Sequence, residues 1–368
     1  MIFYIYAFLC EQISCRISRI KILLFICCFS YVFSFKISID KCLTVDGEAG
    51  ICRPKEQCFA KIKTDVGSCK QTKYVCCPTS GKSHRNCLKY AEAVYQSSDS
   101  EIVISVKRKT KKVSQCGISM VPLIIGGEKV KSKEFPHMAL IGYGKTQQTR
   151  AWMCGGSLIS PNYVLTAAHC LDGGSKGPAR WVRLGILNMK NLSNALGAQE
   201  IEVEKRIFHP HYKLKMNDIA LLKLKTNANI TQYVRPACLD DTGLIKEKSA
   251  IATGWGRTSF DSVEQNEYLL KVQLDIIDKS TCSAVFQPSL YMPNGLEDSM
   301  MCAGVLSGGK DTCNGDSGGP LQTFSDIYCM YRIIGVTSNG KFCGFANSPA
   351  IYSRVFSFIP WIESIVWP

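Results

Sequence analysis

From residue 124 to the end of the chain, short apolar runs recur between Gly, Asn and Pro: Met138–Ile141, Gly156–Ile159, Tyr163–Ala167, Ile219–Leu224 and Ile333–Thr337. That punctuation predicts strands joined by turns. Many short strands of this kind make a barrel or a sandwich, so residues 124–368 read as an all-β domain. The last segment, Val355–Val366, predicts a terminal helix that Pro360 bends or delays.

Upstream the pattern changes. Residues 78–123 are polar and include the basic run Lys107–Lys112, which reads as an exposed linker with a short helix over Leu88–Tyr95. Residues 42–77 hold six cysteines: Cys42, Cys52, Cys58, Cys69, Cys76 and Cys77. So small a segment cannot bury a sufficient core unaided, and disulfides are the expected staple. Zinc is not expected, because no C-x2-C pair occurs there and adjacent Cys76 and Cys77 suit a tetrahedral site poorly. At the N-terminus Arg16, Arg19 and Lys21 precede the apolar run Ile22–Phe33. Basic then hydrophobic is the order of a signal peptide, taken here as residues 1–34, with a signal anchor as the alternative.

Composition narrows the class. Hydrophobic residues are 46% and charged residues 20%, which suits a packed protein. Twenty cysteines point to an oxidising compartment and hence to a secreted, extracellular protein. The formal charge is +14. No nucleic-acid module accompanies it, and no later segment resembles a membrane span, so neither partner is expected.

Three segments carry candidate chemistry: Thr166-Ala167-Ala168-His169-Cys170, Asn217-Asp218-Ile219-Ala220-Leu221-Leu222, and Gly315-Asp316-Ser317-Gly318-Gly319-Pro320. A serine hydroxyl is a poor nucleophile at neutral pH. It needs a base within hydrogen-bond reach, and that base needs a group to fix its tautomer. Ser317, His169 and Asp218 supply those residue types.

In this order the three segments resemble the trypsin/chymotrypsin family over roughly residues 124–368. The resemblance implies a double β-barrel in which Ser317 attacks a carbonyl, His169 takes its proton and Asp218 stabilises the imidazolium. It places the oxyanion against the N–H groups of Gly315 and Ser317. It makes Asp311, six residues before Ser317, the acid of the primary pocket, selecting Arg or Lys. Gly340 keeps the pocket mouth open, while Ala350 stands where trypsins usually have glycine and Asn339 where tryptophan is frequent. Ile124-Ile125-Gly126-Gly127 resembles the new N-terminus of an activated zymogen, made by cleavage after Leu123, with the Ile124 amine pairing with Asp316. The implied disulfides are Cys154–Cys170, Cys282–Cys302, Cys313–Cys343 and Cys116–Cys238.

The six-cysteine segment, ending in a Cys-Cys doublet ahead of such a domain, resembles an arthropod clip domain. The Leu before the Ile-Ile-Gly-Gly run is similar to the persephone/snake-like subgroup. The family connectivity gives Cys42–Cys76, Cys52–Cys69 and Cys58–Cys77, although six cysteines alone allow fifteen pairings. With the leader's cysteines removed, Cys87 and Cys329 are left over and are expected to pair. The resemblance implies an extracellular cascade in innate immunity, Toll activation or melanisation. The partners implied are a downstream protease zymogen as substrate, an upstream activating protease and serpin inhibitors. A digestive or venom protease and a catalytically dead binding cofactor are the alternatives. A digestive enzyme needs no stapled module, and dead homologues usually lack the serine. Asn191 and Asn229 head glycosylation sequons. No cofactor or metal is expected, since Ile186 follows Arg183-Leu184-Gly185 where trypsins often place an acid.

Overall fold

In the computed structural model each of the five apolar runs lies within a strand or overruns one by a single residue. The structure describes residues 41–43, 49–54, 69, 74–78, 81–96, 128–146, 149–190, 197–257, 265–308, 315–325, 330–339 and 345–368. The chain forms two compact units that divide beside Ser80.

The N-terminal unit contains three antiparallel strands, β1 (Lys41–Leu43), β2 (Ala49–Pro54) and β3 (Tyr74–Pro78). Cys42–Cys76 and Cys52–Cys69 are formed, with Cα separations of 5.8 and 5.9 Å. These separations are ordinary for disulfides, and the two bridges replace the core that so short a segment lacks. Cys58 lies outside the described residues.

The second unit opens with helix α1 (Lys82–Gln96), longer than the helix expected over Leu88–Tyr95. This part of the chain is not an exposed linker. Cys87 and Ala91 are buried with Cys238 and Met330, and Tyr90 packs against them. Cys87 is bonded to Cys238, with Cα atoms 5.1 Å apart. That bond overturns two expected pairings, Cys116–Cys238 and Cys87–Cys329. The physical cause is the packing of α1, which carries Cys87 to the short strand that holds Cys238. Cys116 and Cys329 lie outside the described residues.

After β4 (Glu128–Lys129) come two barrels. The first closes through β5 (Met138–Tyr143), β6 (Ala151–Ser160), β7 (Tyr163–Thr166), β8 (Trp181–Leu184), β9 (Gln199–Phe208) and β10 (Ala220–Leu224), in the order β10-β7-β6-β5-β8-β9. The second uses β12 (Ser249–Gly254), β13 (Leu270–Ile277), β14 (Met300–Gly304), β15 (Pro320–Ser325), β16 (Met330–Asn339) and β17 (Ala350–Arg354). Pairing of β16 with β17 closes it, and β11 (Cys238–Leu239) joins β16 in parallel.

The continuous apolar run of β5 has a reason. Ala139, Ile141 and Tyr143 enter the first barrel's core, while Met138 and Leu140 pack with Trp255 and Tyr331. A strand covered on both faces has no use for alternation. The chain ends in a 3-10 turn, Val355–Phe358, then helix α3 (Ile359–Val366), which follows α2 (Lys279–Val285). Pro360 falls in the first turn of α3, where its missing N–H costs nothing. Ile359, Ile362 and Val366 extend the first barrel's core, and Glu363 is buried on the same face. Among the described residues, no helix is long and apolar enough to cross a membrane.

Candidate active site

β7 ends at Thr166 and the chain turns through a 3-10 segment, Ala168–Leu171, that presents His169. The disulfide Cys154–Cys170 ties this turn to β6, as expected. Asp218 comes from the loop before β10, in the same barrel. The His169 side chain is 37% exposed and that of Asp218 only 4%.

His169 Nδ1 lies 2.7 Å from Asp218 Oδ2, and the His169 main-chain N–H donates to Asp218 Oδ1 at 3.0 Å. The Ser338 hydroxyl donates to Oδ2 at 2.6 Å. A buried carboxylate is stable as an anion only when its oxygens accept such bonds. Because an ionised carboxylate only accepts, Nδ1 is the donor in this pair. Nε2 is thereby left as the imidazole's proton acceptor.

Ser317 lies on the turn Gly315–Gly319, and main-chain bonds pin that turn to both barrels. Gly155 N–H in β6 donates to the Ser317 carbonyl at 2.8 Å. Gly318 N–H donates to Thr337 O in β16 at 2.8 Å, and Thr337 N–H returns to Gly319 O at 2.9 Å. Gly318 has φ +77°, and a Cβ there would fall 2.1 Å from Thr166 Oγ1 and 3.1 Å from Ala167 N. Only glycine permits this approach. It brings the Ser317 turn against the residues that lead directly into His169.

Asp316 is buried beside the segment Gly254-Trp255-Gly256. Gly256 N–H donates to Asp316 Oδ1 at 2.7 Å. A Cβ on Gly254 would meet that oxygen at 2.0 Å, and one on Gly256 would meet the carboxyl carbon at 2.4 Å. The two glycines form a cradle for the carboxylate that was not foreseen. The clue was the Gly-Trp-Gly spelling, which reads more readily as a turn than as space for an acid. Ser338 and the Gly318 contact were missed as well.

Ala350 is buried at the start of β17, paired with Ala303 in β14, and Asn339 ends β16. Asp311, Gly340, Cys313, Cys343, Leu123, Ile124 and Asn191 lie outside the described residues. Cys282–Cys302 is formed. Asn229 is exposed, and Ile186 is buried in an apolar cluster with Trp255 and Leu140. The sulfurs near His169 belong to a disulfide and offer no thiolate to a metal.

The trypsin family model matches residues 124–362. The chain is 36% identical to "Serine protease snk" of Drosophila melanogaster over 345 residues, 88% of this chain and 77% of that protein. It is 33% identical to "Phenoloxidase-activating factor 3" of Holotrichia diomphalia over 360 residues, 89% of this chain and 94% of that one. It is 35% identical to "CLIP domain-containing serine protease B4" of Anopheles gambiae over 271 residues, 68% of this chain and 72% of that one.

Proposed function

The chain belongs to the trypsin family of serine proteases and, within it, to the arthropod clip-domain proteases, and from that premise we propose a secreted zymogen acting in an extracellular cascade of innate immunity. Once activated, it cleaves proteins after Arg or Lys. The observation that carries this reading is the pair of bonds from His169 to the buried carboxylate of Asp218, next to the pinned Ser317 turn.

Ser317 Oγ attacks the scissile carbonyl while His169 Nε2 takes its proton. Asp218 stabilises the imidazolium formed. The developing oxyanion is held by the N–H groups of Gly315 and Ser317, at a turn where Gly315 has φ +103°. His169 then protonates the leaving amine, and water repeats the sequence on the acyl-enzyme. Asp311 supplies the preference for a basic residue. The zymogen is switched on by a cut after Leu123, which frees the Ile124 amine to pair with Asp316. The Gly254–Gly256 cradle supports that role for Asp316.

The immune reading draws on relatives called phenoloxidase-activating factor and melanization protease. The substrate is then another protease zymogen, the activator an upstream protease and the inhibitors serpins. The test is hydrolysis of Arg- and Phe-terminated fluorogenic peptides by the activated protein, beside Ser317→Ala and Asp311→Ser. Turnover of Arg peptides that vanishes with Ser317→Ala and loses its basic preference with Asp311→Ser is expected. Full Arg-peptide turnover by Ser317→Ala overturns the reading.

A further inference from the structure

Asp218 is gripped at two places, and only one is its carboxylate. Its main-chain carbonyl accepts the hydroxyl of Ser353 at 2.7 Å. Ser353 is buried in β17, opposite Met300 in β14 on one side and Val336 in β16 on the other. A strand laddered on both sides is a rigid platform. The hydroxyl therefore reaches from the second barrel's sheet to a loop of the first.

That loop is under constraint. Asn217, just before Asp218, has φ +52°, a left-handed conformation that few side chains adopt. Its amide donates to His211 O at 3.0 Å, and its carbonyl accepts Ile219 N–H at 2.8 Å. The direction of the Asp218 side chain follows from the main chain at this bend. Two serines on neighbouring strands thus hold the two ends of one residue: Ser338 the carboxylate and Ser353 the carbonyl.

We propose that Ser353 is a positioning residue for proteolysis, acting through Asp218 by fixing the main chain from which that carboxylate hangs. This rests on the protease reading above. Removing the hydroxyl leaves a buried carbonyl without that donor and lets the bend relax. Oδ2 then meets His169 Nδ1 at a poorer angle, and the imidazolium formed in the reaction is less well stabilised.

The experiment uses activated enzyme, with active sites counted by burst titration, and compares Ser353→Ala, Ser353→Thr and Ser353→Ala combined with Asp218→Asn. Ser353→Ala is expected to lower kcat about tenfold with KM unchanged, the mark of a loss felt only in the transition state. The acid limb of its kcat–pH profile is expected to differ from that of wild type, because the Asp218 carboxylate no longer faces the imidazole squarely. Ser353→Thr keeps the hydroxyl and restores most of kcat. In the Asp218→Asn background, Ser353→Ala is expected to change kcat by less than about twofold. Should Ser353→Ala fail to fold, Ser353→Cys keeps the volume with a weaker donor and carries the same comparison. Wild-type kcat and pH profile in Ser353→Ala overturn the proposal, as does an equal fall in both backgrounds. An unsubstituted enzyme without turnover is instead a failure of the protease reading.

Discussion

Glu363 accepts both the main-chain N–H and the hydroxyl of Ser83 at 2.7 Å, although 280 residues separate them. The acid on α3 thus satisfies the first turn of α1, whose early N–H groups have no partners within the helix. Lys82 Nζ adds a bond to Trp367 O at 2.7 Å, and a Cβ on Gly81 would fall 2.5 Å from Glu363 Oε1. The zymogen carrying Glu363→Ala is expected to lose about 2 kcal/mol of stability, the scale of a charge-assisted bond. Glu363→Gln, which keeps an acceptor oxygen, should lose less. Denaturant titration reads both. Hydrogen exchange should show protection lost first in residues 82–96, and an unchanged exchange pattern there contradicts the role.

The bond between Cys87 and Cys238 closes a long loop, and the chain-entropy model gives such a bridge about 5 kcal/mol. Its presence leaves Cys116 and Cys329 without the partners expected for them. If Cys58–Cys77 and Cys313–Cys343 follow the family pattern, Cys116 and Cys329 are left over and are expected to pair. Non-reducing peptide mapping of the full-length protein should yield the Cys116 and Cys329 peptides linked to each other. Recovery of Cys116 joined to Cys238 refutes this arrangement.

His137 is buried between Phe135 and Tyr331. Burial pushes its pKa down to about 3; the neighbouring Gln322 side chain opposes this shift and the charge of Arg235 adds to it. In the unfolded chain it titrates near its ordinary value of about 6.5. Between those values the unfolded chain binds a proton that the folded chain refuses, so stability falls with falling pH. The slope is about 1.4 kcal/mol per unit, and the loss levels off below about pH 3. Chemical denaturation at pH 7, 6, 5 and 4 should show a steeper acid loss for wild type than for His137→Phe. Parallel curves rule the effect out.

On the proposed reading, the junction residue Leu123 would offer no cation to a pocket whose acid is Asp311. An acid buried without its partner is unfavourable by several kcal/mol, so the protease is a poor activator of itself. The nearest basic residues upstream, Lys111 and Lys112, lie thirteen and twelve positions before Ile124. Purified zymogen incubated alone or with trypsin should stay inactive, and elastase or chymotrypsin should switch it on. N-terminal sequencing decides. An Ile124 terminus formed by zymogen alone, and not by Ser317→Ala, refutes the expectation.

The strands were legible because an apolar run is a local signal, and His169 and Asp218, 49 positions apart, because each sits in a short segment of its own that carries the resemblance. Apolar runs mark strands wherever they pack, and the Asn-Asp-Ile-Ala-Leu-Leu segment spells out its own bend. The docking of α1 was not legible. Its start is satisfied by Glu363 from the far end of the chain, a contact that no local pattern signals, and the expected helix began six residues late. The cysteine partners failed for a related reason: spacing along the chain says nothing about which surface α1 packs on. Glu363 itself reads as a surface acid until α1 covers it. Ser353 looks like an ordinary strand residue, because its meaning depends on a loop in the other barrel.

The attachment of α1 also bears on where proteolysis happens. The proposed cut after Leu123 would divide the chain, yet the bridge from Cys87 to Cys238 would keep the N-terminal unit bound to the catalytic one. Whatever surface that unit adheres to then carries the catalytic unit with it. A substrate held on the same surface meets the enzyme at an effective concentration of millimolar order, set by the tether rather than by free diffusion. Reducing the bridge alone should therefore slow cleavage of surface-held substrates while leaving small peptides untouched.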